Sequence, residues 1–227
     1  MVAATAILDR AAEPMVETHA YPAGAYFVEN PGWLSGGAVR WAAALMGLGS
    51  DAELDALATA APPGAGGIIF VPALAGAMTP VWRPHARGTF HGLGANHDRS
   101  HLARAVLEGL AFACRDVVER LASMGLASDR VLVLGGGSRS RVWAQIRADV
   151  LGKPHDLAHD PDTCPVGAAM LAAVAAGLHR DLASTAAQIP QPTQTCEPAA
   201  ERLDEPYARY QRLVAQLAPL AVTRWAP

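Results

Sequence analysis

A run of three glycines is the feature of this sequence most typical of a ligand site. Residues 131–141 read VLVLGGGSRSR, in which an apolar stretch leads into Gly135, Gly136 and Gly137 and then into a serine that can begin a helix. Glycines have no Cβ, so backbone amides can approach a flat or anionic group there, and the first amides of a helix favour anions. The pattern therefore favours a nucleotide bound at the start of a helix.

The glycine run alone leaves three interpretations open. It is not a P-loop, because the pattern GxxxxGK[ST] is absent and no lysine lies in or near the turn. It matches only part of the dinucleotide fingerprint, since Ser140 stands in place of the third glycine, although Asp156 or Asp160 could supply the acid expected about 20 residues further on. A dinucleotide site, another nucleotide site and a tight structural turn are all compatible with these residues.

Two pairs of histidines have the spacing of metal ligands on a helix. His97 and His101 are four residues apart, and so are His155 and His159. A zinc site needs a third and usually a fourth ligand, and Pro154 and the polar residues around the first pair indicate loops or a helix start. We therefore predict solvent-exposed histidines and no metal site.

Composition and charge restrict the class of protein. The 227 residues are 51% hydrophobic and 17% charged with a formal net charge of -3, which predicts one globular α/β domain and provides no basic face for DNA, RNA or an anionic membrane. The longest apolar run, 166–178, is too short to span a bilayer. Cys114, Cys164 and Cys196 are far apart and odd in number, so we predict no disulfide framework and a cytoplasmic location.

Strands and helices are expected to alternate along the chain. The predicted strands are 2–8, 26–28, 66–74 and 131–134. The predicted helices are 35–47, 100–124, 138–152, 165–177 and 206–221. The predicted loops are 75–93, where prolines oppose regular structure, and 188–206. This order predicts a mostly parallel or mixed sheet flanked by helices.

Residues 88–109 carry a more specific pattern. GTFHGL at 88–93, a gap of seven residues and HLARAVLE at 101–108 resemble the C-terminal signature of the FGGY carbohydrate kinases. Four further segments resemble that family in the same order: SGGAVRW, GGIIFVPALAGAMTPVWRPHARG, GGGSRSRVWAQIRADVLG and PVGAAMLAAVAAGL. The resemblance extends over residues 5–215.

The resemblance implies a fold and an activity. FGGY kinases have an actin-like, ribonuclease-H-like ATPase fold of two similar halves that hold ATP, Mg²⁺ and the sugar between them. This chain resembles the second half, closest to xylulokinase-like or gluconokinase-like members, which predicts the ATP-binding part of a phosphotransferase acting on a carbohydrate hydroxyl. We expect a single domain at 1–221 with a truncated first strand, and a tail at 222–227.

The resemblance also implies partners. The family's catalytic aspartate belongs to the first half, so no catalytic residue is expected here, and the chain alone is expected to be inactive without an N-terminal half in cis or in trans. The exposed lobe surface predicts self-association, with a homodimer as its simplest form. The alternatives are a stand-alone nucleotide- or NAD-binding module and a degenerate kinase half that serves as an interaction partner.

By motif alignment, the resemblance implies two groups of ADP or ATP contacts, one at the start of the helix that follows Ser35 and one in the glycine run. The implied nucleotide-binding residues are Gly36, Arg40, Gly136, Gly137, Ser138 and Arg141. Ser138 is also expected to cap the following helix. The R-G turn at 87–88 and Glu108, with Arg104 four residues before it, are predicted to be structural.

Overall fold

The computed structural model describes residues 2–5, 16–21, 25–30, 32, 35–77, 82–159, 161–190, 192, 194–200 and 202–222. The strands in these ranges are β1 Val2–Thr5, β2 Glu17–Tyr21, β3 Ala25–Glu29, β4 Ile69–Val71, β5 Thr89–His91, β6 Val131–Val133, β7 His155–Leu157 and β8 Gln194–Cys196. The α-helices are α1 Gly36–Leu45, α2 Asp51–Ala60, α3 Arg99–Ser123, α4 Arg141–Leu151, α5 Thr163–Ala175, α6 Leu182–Ala186 and α7 Asp204–Leu217. Short 3₁₀ turns span Ala65–Gly67, Gly135–Arg139 and Ala218–Val222.

Helix α3 lies at the centre of the packing. Its N-terminus is capped by Asp98, whose carboxylate accepts a hydrogen bond from the Ser100 amide at 2.9 Å. The helix contacts α1, α2, α4, α7 and β4, and the main hydrophobic core is built around it. At Gly109 a Cβ would overlap the carbonyl oxygen of Phe70, so the close approach of α3 to β4 requires glycine at this position.

The strands form three small sheets. In the first, β3 pairs antiparallel with both β1 and β2, and in the second, β4 pairs antiparallel with β5. The third is mixed, because β7 pairs parallel with β6 and antiparallel with β8. The predicted α/β class is confirmed, and the predicted mixed sheet corresponds to β6, β7 and β8, whereas the other described strands lie in separate sheets.

The predicted helices are present with boundaries shifted by a few residues, but several short elements were missed. Helix α2 was not predicted, although Ser50 caps it by accepting a hydrogen bond from the Glu53 amide at 3.3 Å. Strands β5 and β8 lie in segments predicted to be loops, so those predictions were wrong in part. Strand β5 forms because Phe90 packs on Phe70, with 4.6 Å between their ring centroids.

Three further predictions concern the cysteines, the membrane spans and the domain limits. The three cysteines are free thiols. None of the described helices combines the length and the hydrophobicity needed to cross a bilayer. The domain limits at 1–221 stay a prediction, and all of the predicted tail except Val222 lies outside the described residues.

Candidate functional site

The glycine run forms a 3₁₀ turn between β6 and α4. Gly135 has a φ of +67°, a conformation that favours glycine. A Cβ on Gly136 would meet nothing within 4 Å, whereas a Cβ on Gly137 would lie 3.6 Å from the guanidinium of Arg147 and 3.7 Å from the ring of Trp143. The turn therefore exposes Gly136 and packs Gly137 against α4.

The helix cap predicted at Ser138 was wrong. The Ser138 hydroxyl donates to the Gly135 carbonyl oxygen at 2.8 Å and closes the 3₁₀ turn. Helix α4 begins two residues later than that assignment requires, and its cap is Ser140, whose Oγ accepts a hydrogen bond from the Trp143 amide at 2.9 Å. The two serines thus fix the turn and the helix start separately.

The second group of predicted contacts lies at the start of α1. Gly36 is the first residue of this helix, and a Cβ there would meet nothing within 4 Å. Ser35 precedes it, and its side chain makes no hydrogen bond to the first turn. Arg40 is exposed on the same helix.

One cleft of about 250 Å³ brings the start of α1 close to α4. Its described lining residues come from three parts of the chain, the residues before α1, helix α3 and helix α4: Asn30, Gly32, Ser35, Leu110, Ala113, Cys114, Val117, Trp143 and Arg147. The glycine turn is tied to this cleft, because Arg147 Nη2 donates to the Gly137 carbonyl oxygen at 3.0 Å. None of the six predicted nucleotide-binding residues lines the cleft itself, but Gly36 follows Ser35 directly and Gly137 is bonded to Arg147.

Arg147 is held rigidly beside the cleft. Its guanidinium carbon lies 4.4 Å from the centroid of the Trp143 ring, a cation–π arrangement. Burial lowers the pKa of the guanidinium, although an arginine stays charged. Sequence reasoning missed both residues, but one signal was present: Arg147 interrupts the buried stripe of α4 between Ile146 and Ala148.

The predicted site residues are thus brought together only in part. Gly36 adjoins Ser35 at the cleft, and Gly137 reaches it through Arg147. Arg40 and Arg141 are exposed, and neither side chain lines the described cleft. Their role in binding stays a prediction, as does that of Gly136.

Two predictions of structural roles are confirmed. Glu108, 1% exposed, accepts from Arg104 Nε at 2.6 Å and from the Gly64 amide at 2.9 Å. Burial raises the pKa of Glu108, and the Arg104 charge opposes that rise. Arg87 donates to the carbonyl oxygen of Ala86 at 2.8 Å and stabilises its own loop.

The histidine prediction was wrong for one residue. His155 is fully buried in β7, because strand β7 lies between two neighbours and under α4. Its Nδ1 lies 2.9 Å from the Lys153 carbonyl oxygen, and burial lowers the pKa of the imidazole to about 4. Among the described residues, no three histidine, cysteine or carboxylate side chains converge on a metal position.

Similarity to known proteins identifies the domain. Residues 3–176 match the C-terminal domain of the FGGY family of carbohydrate kinases. The chain belongs to this family. It spans less than half the length of the FGGY relatives described next.

A curated relative and two solved structures illustrate the similarity. The chain is 39% identical over 188 residues to xylulose kinase of Escherichia coli, covering 79% of this chain and 38% of that one. The crystal structure of xylulose kinase from Rhodospirillum rubrum superposes with a TM-score of 0.83 at 33% identity, over 98% of this chain and 46% of that one. Plasmodium falciparum glycerol kinase with ADP, at 23% identity and a TM-score of 0.71 over 88% of this chain and 40% of that one, shares the fold. This FGGY domain therefore has the actin-like ATPase fold of sugar kinases.

Proposed function

We propose that this FGGY domain forms the ATP-binding side of a carbohydrate kinase that transfers a phosphoryl group from ATP to a sugar or polyol hydroxyl. The supporting observation is the cleft in which Ser35, at the start of α1, faces Trp143 and Arg147 of α4, with Gly137 tied to Arg147. An apolar wall of Leu110 and Val117 beside a few polar groups is the usual composition of a small-molecule site. The xylulose kinases among the relatives favour a pentulose or a related sugar as the acceptor.

The proposed reaction needs groups that the described residues do not provide. Phosphoryl transfer depends on positioning and on neutralising charge at the phosphates. We expect Mg²⁺ to arrive with the nucleotide and to be held by its phosphates and by carboxylates of the other kinase half. The residues of this domain would bind and orient the nucleotide, and the other half would supply the base that deprotonates the sugar hydroxyl.

Calorimetry with ADP, ATP and NAD tests the nucleotide assignment. We expect weak binding of ADP and ATP, and no tighter binding of NAD. The variant Gly137→Val adds a β-branched side chain next to Arg147 and should abolish nucleotide binding while circular dichroism shows the fold retained. Gly167→Val is the control for adding the same side chain elsewhere, because Gly167 lies on α5 and a Cβ there meets nothing within 4 Å.

Three results would contradict the assignment. A clear preference for NAD would indicate a dinucleotide-binding module. Normal nucleotide binding by Gly137→Val would place the site elsewhere, and unfolding of that variant would mean that the turn is structural.

An assay of phosphate transfer from ATP to pentuloses, gluconate and glycerol tests whether activity requires the other kinase half. We expect no turnover by this chain alone, and turnover after addition of a first-half domain from a close relative. Turnover by the purified chain alone, abolished by a point change within it, would show that a catalytic base lies among the residues assigned here as structural.

A further inference from the structure

We propose that Arg147 binds an oxyanion, the phosphate group of a bound nucleotide, within the cleft formed by α3, α4 and the residues that precede α1. This inference rests on the proposed function, because it names the part of the nucleotide that the cleft receives. Sequence alignment implied the contacts at Gly36 and in the glycine run, whereas the assignment of Arg147 comes from the geometry of α4.

The first argument is a partly buried positive charge without a counter-charge among the described residues. None of the described aspartates and glutamates forms an ion pair with Arg147, in contrast to Arg104 and Arg115, which pair with carboxylates at 2.6 and 2.7 Å. The thiols of Cys114 and Cys196 act electrostatically on Arg147, but burial raises the pKa of both, so they are neutral. Removing an unpaired charge from water is unfavourable, and an anion bound in the cleft would offset that cost.

The second argument is the state of the hydrogen-bond donors. Nη2 is bound to the Gly137 carbonyl oxygen, and Nε–H is buried without an acceptor among the described residues. Nη1 is not sealed off in this way, and none of the described residues accepts a hydrogen bond from it. The Trp143 ring supports one face of the guanidinium and limits its rotation. A planar, fixed guanidinium with a donor to spare suits the oxygens of a phosphate group.

The third argument is the cleft itself. Its volume of about 250 Å³ accommodates a group much larger than a water molecule. Ser35 brings a hydroxyl and the start of α1 to the same space, and a helix N-terminus favours an anion. Leu110, Ala113 and Val117 line the rest, and such apolar walls strengthen a charge interaction by excluding water.

The competing explanation is that Arg147 only clamps the glycine turn through Gly137. The two roles differ in the protein without ligand. If Arg147 is a clamp, Arg147→Met should lower the unfolding temperature of the ligand-free chain. If Arg147 serves to bind an anion, Arg147→Met removes an unpaired, partly buried charge. The unfolding temperature of the ligand-free chain should then stay unchanged or rise.

Calorimetry with ADP, adenosine and inorganic pyrophosphate, together with thermal unfolding, tests the proposal on the full chain. We expect Arg147→Met to weaken ADP and pyrophosphate binding at least tenfold and to leave adenosine binding unchanged. Arg147→Lys keeps the charge and loses the fork, so it should weaken ADP binding by less than Arg147→Met. Arg180→Met removes an arginine that is 87% exposed and should change nothing.

Each outcome decides between the proposals. Equal weakening of adenosine and ADP by either variant, or a lower unfolding temperature for ligand-free Arg147→Met, overturns the anion role. If nucleotide binds but pyrophosphate does not, or if Arg147→Met does not weaken nucleotide binding, the anion role is overturned and the proposed function stands. Pyrophosphate binding that depends on Arg147, without binding of ADP or ATP, supports the anion site and overturns the proposed function. Absence of all ligand binding overturns both the anion role and the proposed function. If Arg147→Met does not fold, Arg147→Lys takes its place: it should weaken ADP binding and leave adenosine binding unchanged.

Discussion

Gly135, Gly136 and Gly137 are adjacent in the chain but are constrained differently by the structure. Gly135 has a positive φ, Gly136 has open space where its side chain would be, and Gly137 packs against Arg147. Backbone conformation thus accounts for the first glycine and packing for the third. Only the second has no internal reason to lack a side chain, which supports a role in leaving room for a ligand.

A pair of alanine variants separates these roles. Gly135→Ala forces a non-glycine residue into the left-handed region and should lower the free energy of unfolding by about 1–2 kcal/mol. Gly136→Ala should change that free energy by no more than about 1 kcal/mol and should weaken ADP binding. Urea unfolding and calorimetry measure both effects, and unchanged ADP binding in Gly136→Ala would remove this residue from the proposed site.

Glu108 illustrates a titratable residue whose burial serves the fold. It pairs with Arg104 on its own helix and accepts a hydrogen bond from the Gly64 amide, which links α3 to the turn before β4. Glu108→Ala leaves the buried Arg104 without its partner and should cost about 3–5 kcal/mol of unfolding free energy. The double variant Arg104→Met/Glu108→Met should recover most of this loss in urea unfolding. Loss of nucleotide binding in a folded double variant would contradict the structural assignment.

Helices α3 and α7 are joined by a polar cluster that responds to pH. Tyr207 of α7 donates to Asp116 at 2.7 Å and lies 3.0 Å from Glu119, both on α3. Burial raises the pKa of Asp116 to about 6, with hydrogen bonds from Tyr207 and Gln211 opposing that rise. The proton on Asp116 is therefore held more tightly in the folded chain than in the unfolded chain.

Two groups give this fold opposite pH dependences. The pKa of Asp116 is raised from 3.8 to about 6, so its contribution to stability is complete below pH 3.8 and is lost as the pH rises through about 6. The pKa of His155 is lowered from 6.5 to about 4, so its contribution is complete above pH 6.5 and is lost as the pH falls through about 4. Over the window between these values, the two trends oppose each other.

The variant Asp116→Asn should reveal the pH dependence of stability that comes from His155. The amide oxygen can still accept from Tyr207, while the titration of residue 116 is removed. The free energy of unfolding should then rise with pH between about 4 and 6.5 more steeply than in the parent chain, by up to about 1.4 kcal/mol per pH unit. Urea unfolding at a series of pH values measures this slope, and equal slopes in both proteins would show that Asp116 does not titrate in this range.

Elements with a strong apolar pattern could be predicted from the sequence, and elements without one could not. Helix α3 was predicted almost to the residue because its apolar residues recur every three or four positions over 25 residues. Strands β5, β7 and β8 have three residues each and are fixed by neighbours distant in the chain, as Phe90 is by Phe70. In the site, motif alignment predicted Gly36 and Gly137 as nucleotide contacts, which stay predictions, and nothing local indicated that Arg147 would reach the Gly137 carbonyl.

Considered as a whole, the described chain exposes a large apolar surface that shares no lining residue with the proposed nucleotide cleft. A groove of about 880 Å³ lies between β6, α5 and α6, and Leu132 and Leu134 on its wall are 54% and 51% exposed. No side chain of α5 is buried among the described residues, although the helix is strongly hydrophobic. Apolar surfaces of this kind rarely stay exposed to water.

We therefore expect the isolated chain to self-associate through this groove. Its molecular mass in analytical ultracentrifugation should increase with protein concentration, and Leu132→Lys should shift it towards the monomer. Leu178→Lys is the control, because Leu178 is 77% exposed and does not line the groove. A monomer at all concentrations, or equal effects of the two variants, would contradict association through this surface.

The stacking of Arg147 on Trp143 has a spectroscopic consequence. A charged guanidinium 4.4 Å from an indole ring perturbs the fluorescence of that ring, and the Trp143 Nε1–H is buried without an acceptor among the described residues. An anion bound beside the guanidinium changes the electric field at the indole and hence its emission wavelength and intensity. Subtracting the spectrum of Trp143→Phe isolates this signal from the other tryptophans, so occupancy of the cleft can be followed in a cuvette without a labelled nucleotide.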